Sequence, residues 1–124
     1  MQALIVTFRL DGITHEQFLA GCEEVAPAFA AVPGLISKTW MADEGSGLYG
    51  GLYLFDGEPA LSAYLASDLF RGGVLGNPAF AGIEVRSAAV AEGPTRTTAP
   101  DRQSRVATWA SPASVAPMAA APAR

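Results

Sequence analysis

Residues 3–10, "ALIVTFRL", are rich in β-forming side chains, and the run ends at Asp11-Gly12, a turn signal. From Thr14 the period changes. Thr14 has the character of a helix N-cap, and Gln17 three residues on completes a capping box. Ile13 and Phe18 are spaced to close a hydrophobic staple. Phe18, Cys22, Val25, Ala26 and Phe29 then recur at helical spacing, which predicts one core-facing stripe. Pro27 falls inside that stripe and is expected to kink or shorten the helix. Pro33-Gly34 ends the connection.

Two further strands are predicted at about 35–43 and 48–56, joined by "EGSG" as a hairpin. A second Asp-Gly, at 56–57, precedes Pro59, which suits the first turn of a helix. Leu61, Tyr64, Leu65 and Leu69 give that helix its apolar stripe. "RGGVLGNPAF", residues 71–80, reads as an irregular connection, and residues 82–91 as a last strand. The order is βαββαβ, and the two halves echo each other. This predicts an α+β, ferredoxin-like domain over residues 1–92: a four-stranded antiparallel sheet with two helices on one face. Beyond it, residues 93–124 hold five of the nine prolines and nine alanines with no sustained period. They read as a disordered tail or an arm lying on a partner, with Val106, Trp109 and Val115 as its anchors.

Composition narrows the function. Half of the 124 residues are hydrophobic, enough for one core. No apolar run approaches the length of a membrane span. The N-terminus lacks the basic lead of a signal peptide, so a cytoplasmic protein is expected. The one cysteine, Cys22, permits no internal disulfide. Residues 1–92 carry four basic side chains against eleven acidic ones, a net charge of −7, while residues 93–124 carry four against one, or +3. An acidic folded part argues against a nucleic-acid partner.

Alternation sorts the strand residues into two faces. The more aliphatic sets are expected under the helices. The mixed sets, with Ile5, Thr7, Arg9, Lys38, Trp40, Tyr53 and Phe55, are expected together on the open face. That face is too apolar to stand in water as one patch, and two copies packed face to face would bury it, leaving a cavity between them. Lys38 is the chain's sole lysine, placed mid-strand. A buried ammonium needs a partner, and Glu84, Asp56 or a ligand anion are the candidates.

Several spaced residues carry a resemblance. Pro33-Gly34 precedes the second strand. Lys38-x-Trp40 lies within it. Gly50-Gly51-x-Tyr53-Leu54-Phe55 follows, and then Tyr64-Leu65. In this pattern the chain resembles the YdhR-type mono-oxygenase family of the dimeric α+β-barrel superfamily over roughly residues 2–92. The resemblance implies a homodimer with a cavity in each subunit. It also implies oxidation of a small aromatic or polyketide-like molecule by O2, with no metal, flavin or other cofactor. Other members of the superfamily degrade haem, isomerise lactones or cyclise.

The candidate chemistry centres on three residues. In an apolar pocket Lys38 or Arg9 would stabilise a developing enolate, since a fixed charge acts strongly in a dry site. Tyr53 would hydrogen-bond the substrate oxygen, with Lys38, Tyr53 and Arg9 as the catalytic set. Trp40 would stack on the substrate ring, with Thr7, Phe55 and Ile5 completing the binding surface. The plainer reading is a structural salt bridge with ordinary dimer-core aromatics. A cyclase or isomerase using the same pocket without O2 is a second function, and a non-catalytic small-molecule-binding protein a third. His15, the sole histidine, reads as an exposed residue of the first helical turn, which leaves haem without a clear ligand. Cys22 reads as core packing, and no clustered ligands suggest a metal. "GSGLYGG" lies between two strands and so is not a phosphate loop. "LYGGLYLF" keeps too little of an RNA-recognition strand to count as one.

Overall fold

The computed structural model describes residues 1–99. The first unit, Met1–Val90, contains strands β1 (Gln2–Leu10), β2 (Leu35–Asp43), β3 (Leu48–Phe55) and β4 (Phe80–Ala89). Its helices are α1 (His15–Ala30), α2 (Glu58–Leu65) and the short α3 (Asp68–Phe70), and a π-helical turn follows at Arg71–Leu75. The strands form one four-stranded antiparallel sheet, as the βαββαβ pattern predicts, and their order in it is β2-β3-β1-β4. The second unit begins at Ala91 and opens with a short helix, α4 (Glu92–Thr98), carrying a Glu92–Arg96 ion pair. The expected tail shows no period at α4, yet one helix forms there. The remainder of the tail, with the anchors Val106, Trp109 and Val115 and the proposed embrace of a partner, lies outside the described residues.

Local signals set the element ends. Thr14 caps α1, its hydroxyl accepting from the Gln17 N–H while the Gln17 side chain accepts from the Thr14 N–H. The helix runs through Pro27 to Ala30 rather than stopping. Pro27 lies in its last turn, where only one helical hydrogen bond is forfeited, and Phe29 beyond it is buried in the core. Gly34 has φ +77°, and a Cβ there would meet the Ala60 side chain, so the turn into β2 accepts only glycine. Residues 71–75 of the expected irregular connection are the π-helical turn, which buries Val74.

The core lies between the sheet and α1, α2 and α3. It is built from Leu4, Val6 and Phe8 of β1, Tyr49, Tyr53 and Phe55 of β3, Phe18 and Phe29 of α1, and Leu61, Tyr64, Phe70 and Val74. Register decides which strand residues join it. Leu4 pairs with Tyr53 and Tyr53 with Lys38; Val6 pairs with Gly51 and Gly51 with Trp40. Directly opposed residues share a face, so Lys38, Trp40, Tyr53 and Phe55 stand on the helix-covered side. This corrects the expected grouping. Ile5, Thr7 and Arg9 do face the open side, but with Leu52, Leu54, Thr39 and Met41 as neighbours.

Candidate functional site

Beneath α1 the core is incompletely filled. A cavity of about 210 Å³ is lined by Phe18, Cys22, Val25 and Phe29 of α1, Lys38 and Trp40 of β2, and Gly50, Gly51 and Tyr53 of β3. Phe8, Val74, Asn77 and Phe80 also line it. Gly51 helps to make the space. A Cβ there would lie 2.9 Å from Lys38 Cε and 3.2 Å from Tyr53 Cε1, so the absent side chain is what lets the lysine lie across the strand.

Lys38 is largely buried, yet among the described residues no carboxylate lies within ion-pair distance of it. Neither expected partner reaches it. Glu84 pairs instead with Arg86 on the opposite face at 3.5 Å, and Asp56 is exposed at the end of β3. Aromatic rings surround the ammonium. Nζ lies 3.5 Å from the centroid of Phe29, 3.5 Å from that of Trp40 and 4.7 Å from that of Tyr53. Phe29 and Trp40 themselves meet edge to face, with centroids 5.1 Å apart. Removal from water pulls the Lys38 amine down from 10.5 to about 7. The ring faces act in the opposite sense, since their quadrupoles favour the cation.

Tyr53 is the second polar group. The Tyr64 hydroxyl donates to Tyr53 Oη at 2.9 Å, in a buried contact. With Tyr64 donating, the Tyr53 O–H is left to donate to another acceptor. Burial pushes the Tyr53 hydroxyl up to about 12, with the bond from Tyr64 acting the other way, so it stays a donor at neutral pH. Burial likewise raises Tyr64. Cys22 faces the same space, its thiol raised by burial and lowered in part by Lys38.

The sequence-derived candidates thus divide. Lys38, Trp40 and Tyr53 line the cavity; Phe55 is fully buried behind Tyr53, with centroids 6.1 Å apart, and lines none of it. Ile5, Thr7 and Arg9 stand on the other side of the sheet, which removes them from any constellation with Lys38. Cys22, Phe18 and Phe29 are cavity residues that helical periodicity marks only as core, because spacing does not reveal where packing stops short. His15 is half-buried rather than exposed, its Nδ1 2.9 Å from the Tyr49 hydroxyl, and it does not line the cavity. Among the described residues no group of three or more His, Cys, Asp or Glu is placed to hold a metal. No helix among them is long and apolar enough to cross a membrane.

Comparisons with known proteins bear on this arrangement. The family model described as "Putative mono-oxygenase ydhR" matches residues 3–100. No curated protein matches the chain. Among solved structures, SnoaB of Streptomyces nogalater, a cofactor-independent oxygenase, is similar with a TM-score of 0.59 at 17% identity, over 73% of this chain and 93% of that one. A putative antibiotic biosynthesis monooxygenase from Deinococcus radiodurans is similar with a TM-score of 0.62 at 14% identity, over 74% and 94%. A point mutant of MhuD with two manganese protoporphyrin IX bound per active site is similar with a TM-score of 0.59 at 15% identity, over 73% and 95%. At these identities the likeness is one of fold.

Proposed function

The chain belongs to the ydhR family of putative mono-oxygenases, and from that premise we propose that it oxidises a small phenol or similarly sized polyketide-like enol with O2, without a cofactor. One observation carries this reading: an amine with no carboxylate beside it among the described residues, held inside an apolar, ring-lined cavity. Apolar cavities of about 150 Å³ take up benzene. A volume of about 210 Å³ suits one substituted ring.

The chemistry follows from the two polar groups. An amine held near pH 7 accepts the phenolic proton. The ammonium so formed faces the phenolate, and the Tyr53 hydroxyl donates to the same oxygen. In a dry site both interactions favour the anion strongly. The phenolate passes one electron to O2, and superoxide and phenoxyl radical combine at a ring carbon bearing hydrogen. Loss of water from that hydroperoxide leaves a quinone. One O2 is consumed, one oxygen atom enters the product and the other leaves as water. Trp40 and Phe29, already packed edge to face, wall one side of the space for the ring. The likeness in fold to a cofactor-independent oxygenase supports this route.

Oxygen consumption by purified protein with a panel of monocyclic phenols and cyclic 1,3-diketones tests it. The expected result is uptake matched one to one with product, and none with Lys38→Met. Turnover under strict anaerobiosis would instead select the second reading, a cyclase or isomerase, for which a base of this pKa suffices alone.

A further inference from the structure

The cavity amine has properties that proton transfer to a phenol does not use. It ends in a cage of three rings, it meets no carboxylate among the described residues, and it opens onto an apolar space large enough for one ring. A cage of ring faces stabilises any cation formed on that nitrogen, an iminium as well as an ammonium. Tyr53 supplies a hydroxyl whose proton is not engaged by Tyr64. We propose that Lys38 is a Schiff-base lysine, and that the cavity takes small aryl or cyclic aldehydes and ketones as covalent substrates.

The steps balance within the site. The neutral nitrogen adds to the carbonyl carbon, and the C=O π pair takes up a proton at oxygen, giving a carbinolamine. The nitrogen lone pair then forms C=N as the hydroxyl leaves with a second proton as water. Net, one amine and one carbonyl give one imine and one water, and protonation of nitrogen gives the iminium. Tyr53 is the donor facing the carbonyl oxygen. Apolar walls favour loss of water, and burial holds a useful fraction of the amine neutral near pH 7. The proposal rests on the cavity being a ligand site and not on oxygen chemistry.

The chain makes the test clean, because Lys38 is its sole lysine. Protein is incubated with benzaldehyde and sodium cyanoborohydride, and adducts on Lys38 are mapped by peptide mass spectrometry, with the urea-unfolded protein as the reference for an ordinary lysine. The expected result is reduced adduct on Lys38 forming at least about tenfold faster in the folded protein than in the unfolded one at about pH 7, since burial holds far more of the amine neutral than its ordinary value allows. Its rate should rise with pH through about 7. Pyrene carboxaldehyde, too large for about 210 Å³, should label Lys38 only in the unfolded protein. No Lys38 adduct with benzaldehyde in the folded protein, or equal rates in the two states, overturns the proposal. Tyr53→Phe should slow Lys38 labelling in the folded protein and leave it unchanged in urea; equal labelling removes Tyr53 as the donor. A non-reactive phenol separates this idea from the oxygenase: protection of Lys38 by phenol shows the cavity occupied whether or not O2 is ever consumed. Phenol-dependent O2 uptake with no Lys38 adduct sinks the imine alone.

Discussion

A single nitrogen carries most of the chemistry. Lys38 binds its proton less tightly in the folded chain, at about 7, than at its ordinary value of 10.5. Between those values the unfolded chain binds more protons, so stability rises with pH across that window. Lys38→Met should remove the rise. It should also stabilise the protein at pH 6 by about 1–3 kcal/mol, as replacing a poorly compensated buried charge commonly does. Urea denaturation of both proteins at pH 6 and pH 9 reads this directly. For catalysis the sign is the same: a base must be neutral, so kcat/KM should fall on the acid side of about pH 7. Tyr53→Phe removes the free donor and leaves the Tyr64 hydroxyl without its acceptor. Loss of about 1–3 kcal/mol of stability is expected from that orphaned group, together with a drop in kcat of about 10²-fold or more.

At the scale of elements, the site depends on how β2 and β3 are paired and on what α1 leaves unfilled. Gly51→Ala should disturb the site without unfolding the sheet, because the Cβ presses on the end of a flexible lysine and the edge of the Tyr53 ring, while the nearest backbone atom, Thr39 O, lies at an ordinary 3.5 Å. A raised KM and a shifted pH profile, with the denaturation midpoint little changed, are expected. Thr14→Ala should do the reverse. It deletes the cap of α1, at a cost of about 1 kcal/mol, and leaves the kinetics intact. The capping box, the hairpin and the βαββαβ order were legible from local residue chemistry. Which face Lys38 takes was not. The β2–β3 register shifts between Leu35 and Ser37, so Leu35, opposite Phe55, and Lys38, opposite Tyr53, share the covered side although they are three residues apart. Strict alternation fails across such a bulge, but it holds from Ser37 onward; alternation sorts residues into two sets without saying which set the helices cover. A similar shift lies between Thr7 and Arg9, where Gly82 of β4 takes φ +63°. Size misled as well: rings that look like surface anchors in a strand are what fills the depth beneath a helix.

For the whole molecule, the open face carries Ile5 and Leu52, 42% and 41% exposed, beside Leu54 and Met41. We propose that a second copy covers it, which leaves one cavity on the far side of each sheet. Leu52→Asp should convert a dimer into a monomer in light scattering; a wild-type monomer would contradict the proposal. The charged rim formed by Glu84 and Arg86 would then sit at the edge of that contact. The cavity itself lies within one chain, so its chemistry is open to a test that needs no knowledge of the substrate. Because the chain holds one lysine, protein labelled with ¹³C at lysine Cε gives one side-chain resonance. That resonance should titrate near pH 7 and shift when phenol is added. Titration at the ordinary lysine value with no response to phenol would place the amine in water and contradict the central claim.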